Sequence, residues 1–365
     1  MNYISLENKN SNNEKKRFQE LDALRGIAAV LVVFFHFTVG KNGYDRYFKI
    51  GITGVDLFFI ISGFVIFMSL QHINKGIDFV INRVSRLYPT YWASVSFTFF
   101  LFTVYAIYKH TFSYKDIIIY MGNLTMFQYY LNIPDLDGPY WTMIIEMVFY
   151  ISILLLFQFK LLKYLNIIYV ITCVTTVILT RFFWTSEWVR LLLKWIPLLQ
   201  FLPLFFAGTI FYNLYTDSGN TKKNYILILF CMICQLLLFP YVGRSSVILS
   251  QYSYSIILTV YFLLFVLFVN RKLGFIVNRT TLFFGKISFA LYLIHQYISL
   301  GFIIPSFHNQ MHINFWVTCC LIDLPIIVAI ATLITYKIDI PYSKKMKEKL
   351  RKLTNSRAQE SINTL

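Results

Sequence analysis

An arginine and a histidine stand eleven residues apart in LDALRGIAAVLVVFFHF, Leu21 to Phe37, where almost every other residue is apolar. In an α-helix that spacing returns His36 to the face carrying Arg25, three turns and roughly 16 Å further along the axis. One face therefore offers a permanent cation and a titratable nitrogen. Ionisable groups inside a membrane helix cost at least a few kcal/mol, so such groups mark functional sites. Two carboxylates also fall in apolar runs: Asp56 in GVDLFFIISGFVI and Glu146 in WTMIIEMVFY. A carboxylate beside an imidazole fixes its tautomer and raises its basicity, as general-base chemistry requires. The catalytic candidates are thus His36, Glu146 and Asp56, with Glu146 or Asp56 expected to hold the His36 ring. The plainer alternative is that Arg25 reaches the headgroups and His36 bonds a neighbouring helix.

A second cationic group lies in INRVSRLYPTYW, where Arg83 and Arg86 are three residues apart. That is under one helical turn, so both guanidinium groups can converge on one anion. With Arg25 and Lys286 at similar depth they form a basic mouth suited to a phosphate-rich ligand; anchoring to anionic lipid is the competing explanation. SFALYLIH adds Ser288, Tyr292 and His295 at i, i+4 and i+7 on one face, as supporting groups or as hydrogen-bonding glue between helices. His308 and His312 share a loop but lack nearby carboxylate or cysteine partners, and His72 and His110 lie at loop edges, so no metal site is expected. Walker, GxGxxG, HExxH and GxSxG motifs do not occur.

The elements that must position these groups are membrane helices. Of 365 residues, 57% are hydrophobic and only 14% charged, and the mean hydropathy is +0.60. Apolar runs long enough to cross ~30 Å of hydrocarbon recur at roughly 21–40, 51–70, 88–108, 141–159, 164–181, 195–215, 224–242, 253–270, 282–304 and 314–338. The expected fold is all-α, a polytopic bundle of about ten spans, with segment 113–131 interfacial or re-entrant. Asp22 is the expected N-cap of the first span, and Pro197, Pro203 and Pro325 are expected to bend the sixth and tenth. Lys and Arg crowd the tails and the loops on the N-terminal side, which places both termini in the cytoplasm. The net charge of +16 therefore reports topology rather than nucleic-acid binding. Residues 1–20 read as a solvated, disordered cytoplasmic tail and 341–365 as a basic cytoplasmic tail, flanking a membrane domain over 21–340. All five cysteines fall in apolar runs, where a thiol serves as a small hydrophobe.

In combination these motifs resemble the integral-membrane acyltransferase 3 family. The resemblance rests on LDALRGIAAVLVVFFHF, GVDLFFIISGFVI, RVSRLYPTYW, WTMIIEMVFY and SFALYLIH, in that order, and covers most of the chain. YKIDIPY near the end resembles the family's Glu-x-Pro ending, with Asp339 in place of Glu. The resemblance implies transfer of an acyl group, most often acetyl, from cytoplasmic acetyl-CoA to a sugar hydroxyl of a surface glycan. It also implies that Arg25 and His36 act as an essential pair, that Arg83 and Arg86 bind the donor, and that Trp141 and Glu146 belong to the site. The implied setting is a bacterial cytoplasmic membrane, with lipids, an acyl-CoA, a glycan acceptor and polysaccharide-synthesis proteins as partners and without a metal or prosthetic group. The same intramembrane charges would also serve a glycan or lipid-linked oligosaccharide transporter, or stand idle in a membrane scaffold.

Overall fold

With no water in hydrocarbon, backbone N–H and C=O groups must pair within their own segment, and the apolar runs of this chain accordingly fold as helices. The computed structural model describes residues 18–363 apart from 42, 45, 46, 72 and 242. Most of the expected N-terminal tail, residues 1–17, lies outside the described residues, as does His72. Among the described residues every regular element is helical, and nine helical segments are long and apolar enough to cross a membrane.

The first half contains α1 (Gln19–Thr38), α2 (Gly54–Leu70), α3 (Gly76–Tyr108), α4 (Tyr114–Asn123) and α5 (Trp141–Gln158). It is followed by α6 (Leu165–Phe183), α7 (Glu187–Trp195), α8 (Leu202–Tyr215), α9 (Thr221–Leu238), α10 (Gln251–Val269) and α11 (Arg279–Ile298). The last continuous path, Phe315–Ser356, passes through α12 (Phe315–Val317), α13 (Leu324–Ile334) and α14 (Ile340–Asn363), joined by π-helical turns at Thr318–Asp323 and Thr335–Asp339. Segment 113–131 forms α4 and the turns after it, tied to α3 by a Tyr120–Ser96 hydroxyl contact of 2.9 Å.

Several sequence expectations change. The sixth run is broken rather than bent: Pro197 opens a 3₁₀ turn and Pro203 starts α8, a helix of 14 residues. At ~1.5 Å per residue α8 is about 21 Å long, short of the hydrocarbon thickness, and it is buried along nearly its whole length. α1 begins at Gln19 with Phe18 at the cap, so Asp22 lies inside the first turn instead of capping it. α3 begins twelve residues before the expected span, which puts Arg83 and Arg86 on the same rigid helix that crosses the bundle. The Lys-rich tail is helical: α14 continues from the last span, is rich in strong helix formers, and packs against α3.

α1 sits between α2 and α11. Its pairing with α11 depends on Gly26 and Gly285, since a Cβ on Gly26 would stand 2.6 Å from the Gly285 nitrogen and one on Gly285 would strike the Asp22 carbonyl. Small residues at a crossing let helix backbones touch, which is how membrane helices gain contact area without a hydrophobic driving force. The two helices run parallel from this contact, and ten residues further along each of them stand His36 and His295.

Candidate active site

At the end of the bundle where α1 begins, an open vestibule of about 920 Å³ is walled by α1, α2, α3, α8, α11 and α14. Arg25, Arg83, Arg86 and Lys286 line its floor, Lys344, Lys347 and Arg351 line its α14 wall, and Asp22 and Asp339 are the facing carboxylates. The Lys286 ammonium sits over the Tyr336 ring, 4.2 Å from its centroid. The basic mouth expected from the sequence is therefore assembled.

The three arginines also line the entrance of a narrower chamber of about 80 Å³ that runs into the bundle past Ser62, Glu146, Tyr150, Thr142 and Tyr292. Glu146 accepts a hydrogen bond from Ser62 Oγ at 3.3 Å and another from the Tyr150 hydroxyl, one turn along α5. Arg83 lies 5.8 Å from the ring centroids of both Phe79 and Tyr150. Arg25 feels the charges of Arg86, Asp22 and Glu146. Two carboxylates, Glu146 and Asp22, thus face three guanidinium groups, leaving an excess of positive charge at the neck between vestibule and chamber. The buried Arg83 Nε has no hydrogen-bond partner among the described residues, a donor available to an anion.

The inner end of the chamber is Tyr292, whose hydroxyl lies 3.1 Å from Thr142 Oγ1 and donates to the Pro139 carbonyl at 3.4 Å. One turn further along α11, His295 is fully buried, and its ring centroid is 6.0 Å from that of Tyr292. His295 Nδ1 approaches the Tyr292 carbonyl at 2.8 Å and the Leu291 carbonyl at 3.2 Å, while its Nε2 lies 3.0 Å from His36 Nδ1. Carbonyl oxygens only accept, so the partners assign the His295 proton to Nδ1 and leave a lone pair on Nε2. His36 Nδ1 then faces two acceptors, that lone pair and the Val32 carbonyl at 3.0 Å, and must carry its own proton. The consequence is an unprotonated Nε2 on His36, whose ring is only partly buried.

The structure thus joins Arg25, Arg83, Arg86, Glu146 and Tyr292 around one chamber, and His36 with His295 beyond it. Three other candidates do not line that chamber. Asp56 is buried in the first turn of α2 against the Tyr254 hydroxyl of α10, far enough round the helix that its partners are α10 groups and not His36. Ser288 turns back on its own helix and donates to the Gly285 carbonyl at 2.8 Å. Trp141 carries the Arg244 guanidinium 4.8 Å above its ring centroid. The expectation that Glu146 or Asp56 holds the His36 ring is corrected: the ring partners are His295 and the Val32 carbonyl. Both carboxylates enter the bundle at a different level from the one expected. Gly54, just before Asp56, packs on Ala28 and Val32 of α1, below His36, and Thr142, at the start of α5, is already level with Tyr292.

Sequence reasoning missed Tyr150, Ser62, Arg244 and the α14 cations. Tyr150 was visible as the i+4 neighbour of Glu146, and the α14 residues were hidden in a segment read as a solvated tail. The charge of Arg244 acts on His36, Asp135 and Tyr292, so this loop residue overlooks the histidine side of the site.

Known proteins give this geometry its context. A protein of Acidianus two-tailed virus named "Putative acetyltransferase ORF330" is 26% identical over 308 residues, covering 79% of this chain and 85% of its own. A Komagataeibacter xylinus protein named "Putative membrane-bound transacylase BcsY" is 39% identical over 77 residues, 20% of this chain and 18% of its own. No solved structure matches the chain. The profile of the acyltransferase 3 family, described as an acyltransferase domain, matches residues 18–335, nearly the whole helical bundle with both the arginine neck and the histidine pair, and the chain belongs to that family of acyltransferases as a multi-pass membrane member.

Proposed function

We propose that this acyltransferase moves an acetyl group from acetyl-CoA to a hydroxyl of a glycan acceptor, with the basic vestibule facing the cytoplasm of a bacterial cell and His36 as general base. The observation that carries the reading is the order of groups along α1 and α11: cations in the vestibule and neck, a narrow chamber with Glu146, then Tyr292, His295 and His36. That order matches a CoA thioester, whose phosphates lie at one end and whose reactive carbonyl lies at the other. The acetyltransferase name of the viral relative supports the acetyl group.

In this mechanism His36 Nε2 takes the proton of the acceptor hydroxyl as its oxygen attacks the thioester carbonyl. The C–S bond then breaks, the ester forms, and the imidazolium returns the proton to the departing CoA thiolate. As His36 becomes cationic, its Nδ1–H bond to the His295 lone pair strengthens, so the charge appears opposite an acceptor already in place. The neck cations hold the donor by its phosphates, where charge-assisted hydrogen bonds are strongest.

The test is mass spectrometry of surface glycans before and after mild alkali, in cells carrying the wild-type protein, His36→Ala or no protein. An alkali-labile ester of acetyl mass present with wild type alone supports the assignment. Identical esters in all three strains reject it.

A further inference from the structure

The vestibule contains more positive charge than the arginine neck requires, and the surplus comes from one helix. Lys344, Lys347 and Arg351 of α14 all line the cavity, and their spacing of i, i+3 and i+7 places them within about 60° on one helix face. They span roughly 10 Å along the axis. Like charges at such spacing destabilise an isolated helix, so this face is better suited to an anion than to the fold. Asp339, where α14 begins, accepts from Ser343 Oγ at 2.9 Å, and with Asp22 it is one of two carboxylates lining a cavity that seven basic side chains also line. A cavity of about 920 Å³ separates this wall from the guanidinium groups of Arg25, Arg83 and Arg86, so the molecule holds two cationic sets, one at the neck and one at the outer wall.

A CoA thioester also has two phosphate groups: a pyrophosphate part-way along, and a monoester on the ribose 3′ oxygen at the nucleotide end. The neck adjoins the chamber that leads to the histidines, so the neck receives the pyrophosphate, which lies nearer the thioester. The 3′-phosphate, with a charge of about −1.5 to −2, then lies outward. Resting on the reading of acetyl-CoA as donor, we propose that Lys344, Lys347 and Arg351 of α14 form a binding subsite for the ribose 3′-phosphate, so that the C-terminal helix selects CoA thioesters over their 3′-dephospho counterparts.

The test compares binding of CoA and 3′-dephospho-CoA to the full-length purified protein by calorimetry, for wild type, for K344Q/K347Q/R351Q, and for K345Q/K349Q/K352Q, which removes the same charge from another face of α14. The expected result is a preference for CoA of at least about tenfold in wild type, the scale of a charge-assisted phosphate contact in a water-filled site. The inner-face variant should lose that preference while binding 3′-dephospho-CoA as wild type does, and the outer-face variant should keep it. Equal losses in the two triple variants would reduce the effect to diffuse charge and overturn the subsite. So would a preference that survives in the inner-face variant, or equal wild-type affinity for the two ligands; in both cases the donor reading stands. Failure of wild type to bind either ligand overturns the donor reading and the subsite together. If the inner-face triple variant does not accumulate, K344Q and R351Q, single changes at exposed positions, carry the same comparison with a smaller shift.

Discussion

His295 Nε2 lies 3.0 Å from His36 Nδ1, and both rings take their remaining Nδ1 contacts from helix carbonyls. His295 is therefore a positioning residue: it fixes the tautomer of His36 from behind and leaves the opposite nitrogen free. His36→Ala should lower acyl transfer by about 10²- to 10⁴-fold, the usual range for a general base. His295→Ala should cost less, about 10- to 100-fold in kcat, as expected for one buried hydrogen bond of ~1 to 3 kcal/mol. KM for the donor should not change. A kcat–pH profile with the same midpoint in His295→Ala as in wild type would show that His295 only fills space.

The neck makes a separate prediction. Arg83→Ala and Arg86→Ala should each raise the donor KM by the equivalent of ~1.5 to 3 kcal/mol, the value of a hydrogen bond to a charged group. Arg83→Lys should recover little, because its guanidinium plane stacks near Phe79 and Tyr150 as well as carrying charge. Steady-state kinetics with varied acetyl-CoA decide the point, and donor KM values equal to wild type would return both residues to membrane anchoring.

The parts of this site that were legible in the sequence are those that one helix encodes by itself. Arg25 and His36 share a face by spacing alone, Arg83 and Arg86 by theirs, and Tyr292 and His295 by theirs. Which faces meet depends on helix depth, and depth is not encoded by helical spacing where a connecting segment enters the bundle. The 3₁₀ turn Lys49–Thr53 packs beside Leu31 and Phe35, so α2 starts well inside and Asp56 misses His36. The turn Gly138–Tyr140 places Pro139 beside Tyr292, so Glu146 falls at the level of the arginines. The broken sixth run was visible as two prolines six residues apart, yet a break and a bend have the same sequence signature.

The α1–α11 crossing yields a test of how the histidines are brought together. A Cβ on Gly26 would stand 2.6 Å from backbone atoms of Gly285 and Thr281, and backbone cannot yield as a flexible side chain does. Gly26→Ala should therefore force the helices apart, with an overpacking cost of about 1 to 3 kcal/mol and a fall in kcat as the His36–His295 contact lengthens. Gly274→Ala, at a position with open space around it, is the matched control. Thermal unfolding and transfer rates of the two purified variants should differ; a Gly26→Ala protein as stable and active as the control would show that the crossing has slack.

Asp137, in the loop before α5, gives a pH signature. Burial pushes its carboxyl up to about 8, against the opposing hydrogen bonds from the Tyr297 N–H, at 3.3 Å, and the Gly138 N–H. The unfolded chain loses this proton near pH ~4. Between those values the folded state binds the extra proton, so stability is greatest at the acid end and declines as pH rises through the folded value. Asp137→Asn keeps the shape without the charge. Its melting temperature should change less than that of wild type between pH 5 and pH 9, and parallel curves for the two proteins would remove Asp137 as the source.

Glu146 separates the corrected site from the one expected. Held by Ser62 and Tyr150 and surrounded by the charges of Arg25 and Arg83, it balances the neck and sets how much positive charge a donor meets there. Glu146→Gln should then act on donor binding, changing KM for acetyl-CoA by several-fold and leaving the pH midpoint of kcat where wild type has it. A carboxylate bonded to the His36 ring would behave in the opposite way, since its loss would shift that midpoint downward and leave KM alone. Tyr150→Phe extends the argument, because the Tyr150 hydroxyl donates to Glu146 and the ring lies 5.8 Å from the Arg83 guanidinium: its removal should move KM in the same sense as Arg83→Ala. A Glu146→Gln enzyme with an unchanged KM and a displaced pH midpoint would restore the carboxylate to the base and displace His295 from that role.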